Sequence, residues 1–279
     1  MRLLHGRPVA ERVNARTKER SDALHARGVA PRLDIISVGT DPAAPTYQER
    51  LEKAGRTLGI VVRRLALART TAEPDVVERL RSSRSDPATH GVLLLTPLPA
   101  PLEETRLVEE LDPAKDVEGV HPYNAGLLAL GRPRFVPSTA EAILELLRFH
   151  EIPIDGQHAV IIGRSPVVGR PAATLLLHAH ATVTLAHSRT AELAAHTRIA
   201  RIVVVAVGRA GFLRGDMLGA DTTVVDAGIN VTPSGLVGDA DLASVSAVAA
   251  ALSPVPGGVG AVTTALLLRN VVTAAEEQS

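Results

Sequence analysis

The chain has 279 residues, an apolar fraction of 46%, a charged fraction of 22% and a formal net charge of zero. That length supports one large hydrophobic core or two modest ones, the composition excludes a disordered chain, and the zero net charge removes any broad attraction to nucleic acid or an anionic membrane. With no cysteine the chain forms no disulfide and no thiolate–metal site.

The first ten residues lack the apolar run of a signal peptide, and no stretch reaches the roughly 18 apolar residues that span a bilayer. The expected setting is the cytoplasm. Residues 8–27 read as an amphipathic helix closed by Gly28, and residues 33–38 as a buried strand closed by Gly39. Pro45 suits the first turn of a helix, along which Tyr47, Leu51, Ala54 and Leu58 share one face. Residues 60–62 form a second strand, 73–82 a helix, and 91–95 a third strand broken by Pro97 and Pro99. This alternation is that of a parallel α/β sheet.

Gly131, Pro133 and Pro137 mark a junction, after which Thr139 is placed to cap a helix reaching about His150. A second alternating set follows: strands at 159–162, 182–185, 202–207 and 223–226, helices beginning near Gly169 and Thr190, and a last apolar helix over 262–275. The expected architecture is therefore an α/β fold of two domains, 1–136 with 262–279 and 137–261.

The loop Gly163-Arg164-Ser165-Pro166-Val167-Val168-Gly169 follows a strand and opens a helix. A dinucleotide pyrophosphate sits at such a place, where glycines admit the backbone and helix N–H groups face the anion. The loop departs from GxGxxG, because Ser165 replaces the second glycine and the spacing is longer; an ordinary strand-to-helix turn is the alternative. An NAD site carries an acid about 20 residues further on, at the next strand end. Here that end reads Ala186-His187-Ser188-Arg189-Thr190, with no acid. A hydroxyl and a guanidinium suit a 2′-phosphate, with Arg164 as a second charge, so NADP is the expected cofactor. The alternative is that Ser188 caps the next helix and Arg189 is solvated. Val207-Gly208 and Asp226-Ala227-Gly228-Ile229-Asn230 close two further strands, and such ends line the ligand crevice of a doubly wound sheet.

Five stretches together resemble the bifunctional methylenetetrahydrofolate dehydrogenase/methenyltetrahydrofolate cyclohydrolase family. They are Val38-Gly39-Thr40-Asp41-Pro42-Ala43, Lys115-Asp116-Val117-Glu118-Gly119 with His121-Pro122-Tyr123-Asn124, Gly163-Arg164-Ser165 through Val168-Gly169, Asp226-Ala227-Gly228-Ile229-Asn230, and Pro254-Val255-Pro256-Gly257-Gly258-Val259-Gly260. The resemblance implies a three-layer α/β folate-binding catalytic domain, completed by the C-terminal helix. It also implies a Rossmann-type NADP domain, a cleft between the two, and a homodimer. It implies that a tetrahydrofolate derivative is the substrate. Tyr47 matches a tyrosine that stacks near the aromatic part of the folate, and Glu118 stands where an aspartate binds the pterin amino edge. The extra methylene moves that carboxylate by about 1.5 Å. Pro97, Leu98 and the Pro256-Gly257-Gly258 turn would line the same substrate site.

The family pattern also breaks. Four residues after the tyrosine, bifunctional members carry a lysine that helps activate the water opening the methenyl ring. Here that position is Leu51. The partner glutamine is Leu95, and the serine before the tyrosine is Ala44. Lys53, six residues after Tyr47, points about 240° away on a helix; Lys18 and Lys115 lie in other segments. Three readings follow: an NADP-dependent dehydrogenase with cyclohydrolase weak or lost, a transferase that moves the folate methylene to a nucleophile without redox, and a non-catalytic folate or nucleotide binder. No metal site is expected, since the ten histidines are scattered, and His178 and His180, two apart on a predicted helix, face different ways.

Overall fold

The computed structural model describes residues 1–39, 44–233 and 235–279, without the side chains of Ala44 and Pro45. Residues 40–43 of the first motif thus lie outside the described residues. In chain order the elements are β1 (Arg2–Leu3), α1 (Arg7–Ala26), β2 (Arg32–Val38), α2 (Ala44–Leu58), β3 (Val61–Leu67), α3 (Glu73–Ser85), β4 (Gly91–Leu94), α4 (Glu104–Val108), α5 (Pro122–Ala129), α6 (Ser138–Phe149), β5 (His158–Ile162), α7 (Gly169–His178), β6 (Thr182–Ala186), α8 (Leu193–Arg198), β7 (Ile202–Val205), β8 (Thr223–Asp226), β9 (Asn230–Thr232), β10 (Gly235–Val237), α9 (Leu242–Ser246), β11 (Ala251–Leu252) and α10 (Val259–Glu277). They form two compact units. One is Arg12–Val136 with Thr264–Ser279, the other Met1–Glu11 with Pro137–Thr263.

In the first of these units β3, β2 and β4 make a parallel sheet, with β2 in the middle. Successive strand side chains point to opposite faces, so a central strand feeds two cores. Leu33 and Ile35 of β2 join one buried cluster with Leu24 of α1, Leu51 and Leu58 of α2, and Leu268, Val271 and Val272 of α10. Ile36 and Val38 join the other, with Val76 and Leu80 of α3 and Leu107 of α4. Helices therefore cover both faces of the sheet, giving three layers.

In the second unit six parallel strands run in the order β1-β11-β8-β7-β5-β6, beside the antiparallel hairpin β9–β10. The Ile-Val-rich β7 and the Val-centred β8 are buried along their whole length, as central parallel strands are. The chain leaves β5 for β6 on one side and returns to β7 on the other. The strand order thus reverses at β5, where doubly wound sheets open their ligand crevice.

The structure corrects several expectations. Residues 1–11 belong with 137–263, because β1 pairs with β11. Thr139 is no cap: the helix starts at Ser138, with Pro137 as N-cap and no side-chain cap bond. A proline's fixed φ sets the helix entry without a side-chain acceptor. The helix expected near Thr190 starts at Leu193, after Glu192 in a left-handed conformation. Thr190 instead accepts the His187 N–H at 2.9 Å through its hydroxyl. His180 lies beyond the end of α7, with φ of 66°. Among the described residues no helix is long and apolar enough to cross a membrane.

Candidate functional site

The loop from β5 to α7 is built by its glycines. Gly163 has φ of 121°, and a Cβ there would overlap the Ala206 carbonyl. A Cβ on Gly169 would overlap the Gly163 carbonyl oxygen and stand 2.5 Å from its carbon. Only glycine at both positions lets the start of α7 close onto the end of β5. Within the turn the Ser165 hydroxyl oxygen accepts the Val168 and Gly169 N–H groups at 3.2 and 3.4 Å. These bonds are long, so a phosphate oxygen has donors to compete for at this helix N-terminus. The site thus fits a dinucleotide pyrophosphate.

The neighbouring strand end joins it. Gly163 N–H donates to the Ala186 carbonyl at 2.9 Å, which sets residues 187–190 beside the glycine turn. Ser188, Arg189 and Arg164 are exposed. Neither guanidinium has an ion-pair partner among the described residues. Since α8 starts only at Leu193, Ser188 does not cap it. On the other side of β5, Val207 and the exposed Gly208 follow β7, and Gly228 and Ile229 follow β8. Ile229 is 59% exposed. It lies against the first turn of α10, where a Cβ on Gly260 would stand 3.8 Å from its Cδ1. Just before, the Pro256-Gly257-Gly258 turn carries φ of 106° at Gly257, whose carbonyl accepts the Gly6 N–H at 2.8 Å.

In the other unit Tyr47 and Leu95 are both half-buried and pack against the cluster that contains Leu51, itself wholly buried. Glu118 is half-buried, close enough for its charge to act on the Tyr47 phenol. Burial, and after it the Glu118 charge, raises the phenol above its ordinary pKa, against the opposing charge of Arg50. The Arg50 guanidinium carbon stands 5.3 Å from the Tyr47 ring centroid. The hydroxyl therefore stays protonated through the neutral and mildly alkaline range. A pH–rate profile is expected to show no alkaline limb from Tyr47 below about pH 10; a limb that disappears in Tyr47→Phe would contradict this. Leu98 is not brought to the same face. It packs against the second cluster, across the sheet, and Pro97 is exposed.

The segment around Glu118 is pinned on both sides. Asp116, wholly buried, accepts the Val120 and His121 N–H groups at 3.2 and 2.8 Å and the Asn124 amide at 2.8 Å. Burial pushes its carboxyl up, and these bonds oppose the shift. The Val117 carbonyl accepts from Asn270 of α10 at 2.8 Å. Gly119 has φ of 67°, and a Cβ there would stand 2.6 Å from the Phe135 carbonyl oxygen. Glu118 thus projects from a fixed backbone.

The lysines are engaged elsewhere or exposed. Lys18 pairs with Asp22 on α1 at 2.5 Å, and Lys53 is exposed on α2. Lys115 is buried and lies against the C-terminal end of α3, donating to the carbonyls of Arg84, Asp86 and Ser83 at 2.7, 2.9 and 3.4 Å. A cation there satisfies orphan carbonyls and opposes the helix dipole. Lys115→Ala is expected to cost roughly 2 kcal/mol of stability, seen as a lower denaturation midpoint, with Michaelis constants unchanged. Loss of turnover without loss of stability would show a catalytic role instead. No group of three or more His, Asp or Glu side chains arranged to hold a metal occurs among the described residues.

Sequence reasoning passed over Arg50 and Asp239, and named Asp116 and Asp226 only within motifs, without a role for either buried carboxylate. Asp226 and Asp239 lie against glycines that only the folded chain brings to them: a Cβ on Gly238 would overlap the Asp226 carboxylate, and one on Gly228 the Asp239 carboxylate.

Comparison with known proteins gives two family matches. The catalytic domain of tetrahydrofolate dehydrogenase/cyclohydrolase matches residues 4–118, and its NAD(P)-binding domain matches residues 137–279. A relative from Nocardia farcinica (strain IFM 10152), named bifunctional protein FolD, is 49% identical over 274 residues, 98% of this chain and 97% of its own. The crystal structure of the bifunctional enzyme FolD, methylenetetrahydrofolate dehydrogenase/cyclohydrolase, from Campylobacter jejuni superposes with a TM-score of 0.96 at 38% identity over 100% of both chains. That of the Trypanosoma brucei N5,N10-methylenetetrahydrofolate dehydrogenase-cyclohydrolase, complexed with NADP cofactor and inhibitor, gives 0.94 at 32% identity, over 99% of this chain and 97% of that one.

Proposed function

Because the chain belongs to the tetrahydrofolate dehydrogenase/cyclohydrolase family, we propose that it oxidises 5,10-methylenetetrahydrofolate with NADP and hydrolyses the methenyl product weakly or not at all. Leu51 carries the second half of this reading. It stands where the resemblance calls for the water-activating lysine, and it is wholly buried in an apolar cluster with Leu95 against it. Lys18, Lys53 and Lys115 are occupied or exposed elsewhere.

The two reactions make different demands. In the oxidation a C–H bond of the folate methylene carbon breaks, and hydrogen leaves with both electrons. The carbon becomes part of the methenyl cation, and no proton has to be placed. Bound NADP supplies the hydride acceptor, and the protein's part is orientation. Hydrolysis adds water to that carbon, and the water must lose a proton to a base. Leucines at 51 and 95 provide none. Glu118 is assigned to the pterin amino edge, where a carboxylate accepts two parallel N–H donors. Tyr47 is assigned to the aromatic part of the folate. The 163–169 turn takes the pyrophosphate, Ser188, Arg189 and Arg164 take the 2′-phosphate, and Val207, Gly208, Gly228 and Ile229 line the crevice. The family resemblance extends the proposal to a cytoplasmic homodimer.

The test is reduction of NADP by purified protein with methylenetetrahydrofolate, with NAD for comparison. NADPH forming well ahead of NADH is the expected result. Folate binding with neither cofactor reduced would reject the dehydrogenase and favour methylene transfer to a nucleophile.

A further inference from the structure

The strand ends beside the glycine turn hold an anion site that the protein fills itself. Three successive backbone N–H groups after β7 aim at one carboxylate: Val207 and Gly208 donate to Asp239 Oδ2 at 2.6 and 2.8 Å, and Arg209 to Oδ1 at 2.8 Å. Asn230 at the start of β9 adds its amide to Oδ1 at 2.8 Å. Asp239 is wholly buried, and Gly228 lies so close that any side chain there would overlap the carboxylate. A run of N–H groups converging on one point is a nest, the geometry that binds phosphate in other proteins.

Asp239 is in turn held by a second buried carboxylate. Its own N–H and that of Gly228 donate to Asp226 Oδ1 at 3.0 and 2.9 Å, and Ala240 N–H donates to Oδ2 at 2.8 Å. The Asp226 N–H donates to the Ser253 hydroxyl oxygen at 2.8 Å. The two carboxylates therefore join the segments after β7, after β8 and after β10 into one hydrogen-bonded body. Two of those segments contain the residues assigned above to the cofactor, Val207 with Gly208 and Gly228 with Ile229.

We infer that Asp239 is a positioning residue for the dinucleotide: as a built-in anion it occupies the nest of residues 207–209, denies it to the cofactor's phosphates, and fixes these segments against the rest of the cofactor. The inference rests on the NADP reading. With their N–H groups engaged, residues 207–209 offer a ligand only carbonyls and side chains. The pyrophosphate is thereby directed to the turn at the start of α7, whose donors are held by long bonds. The cofactor's register along the strand ends is set by which nest is already full.

Asp239→Asn tests this. An amide keeps the size but offers one acceptor oxygen and turns an NH2 group toward N–H donors, so the nest loses its anion. NADPH affinity is measured by calorimetry on the folded protein, together with the Michaelis constants of both substrates. The expected result is a dissociation constant for NADPH raised at least tenfold, and a cofactor Michaelis constant raised in step. The folate Michaelis constant and the kcat at saturating cofactor stay within about threefold. A general loosening of the fold would move all four together. Should Asp239→Asn fail to fold, Asn230→Ala removes one donor from the same carboxylate and is expected to weaken NADPH binding severalfold. Unchanged NADPH affinity in the folded Asp239→Asn protein, or in Asn230→Ala where the first does not fold, overturns the inference. So do parallel losses in all four constants. A parent protein that binds NADPH without oxidising the folate refutes only the proposed activity, and the affinity series still decides this point. A parent that binds neither NADPH nor NADH refutes both.

Discussion

Gly169→Ala is expected to raise the NADP dissociation constant by about a hundredfold or more, with the protein still folded. The added methyl group would overlap the Gly163 carbonyl, a backbone atom that no side-chain rotation can move aside. Relief comes only if the start of α7 shifts away from the end of β5. The N–H groups of Val168 and Gly169 then leave the place where the pyrophosphate is proposed to sit. Hydrogen bonds to a charged group contribute roughly 1.5–3 kcal/mol each. Losing two of them is about 3–6 kcal/mol, and each 1.4 kcal/mol is a factor of ten. Calorimetric titration with NADP measures the constant directly. An affinity within threefold of the parent's would show that the turn is an ordinary connection.

Glu118→Gln is expected to lower kcat/KM for the folate by about a hundredfold and leave NADP affinity unchanged. Glutamine matches the shape but offers one acceptor in place of two, and presents a donor where the pterin edge also donates. The cost of about 3 kcal/mol is that of one charge-assisted bond lost and one buried donor left unmatched. The side chain has little freedom to compensate, because Asp116, Asn270 and Gly119 hold the backbone on either side of it. Steady-state kinetics with the folate varied at saturating NADP separates the two constants. A variant with unchanged kcat/KM would remove Glu118 from the substrate site.

Much of this fold is legible in the sequence because the strands are short apolar runs between glycines and prolines. Residues 33–38, 91–95, 159–162 and 223–226 lie within a residue or so of strands in the structure. The glycine turn is equally plain, since its requirement is local: a positive φ at Gly163 and no Cβ at Gly169. What stays hidden depends on contacts between distant segments. β1 is two residues long and is held in the sheet by β11, almost the whole chain away, and β11, equally short, lies between it and β8. Lys115 stands in a recognisable motif, but its partners are carbonyls about 30 residues earlier, at the end of α3. The family resemblance puts Leu95 and Leu98 at one substrate site, whereas the two pack against different clusters. Beyond the end of β4 the two-residue period no longer holds, so the chain turns Leu98 to the opposite core. Asp239 was passed over because an isolated aspartate carries no local signal, and its role appears only once residues 207–209 fold around it.

The measurement that bears most directly on the central claim is the hydrolysis of methenyltetrahydrofolate, supplied directly to protein already shown to reduce NADP with methylenetetrahydrofolate. The account predicts that ring opening proceeds at the buffer rate whatever the protein concentration, so that the methenyl product of the oxidation accumulates. Hydrolysis rising in proportion to protein, at a rate comparable to the oxidation, would contradict it. It would mean that a protein with leucine at 51 and 95 activates water by another group.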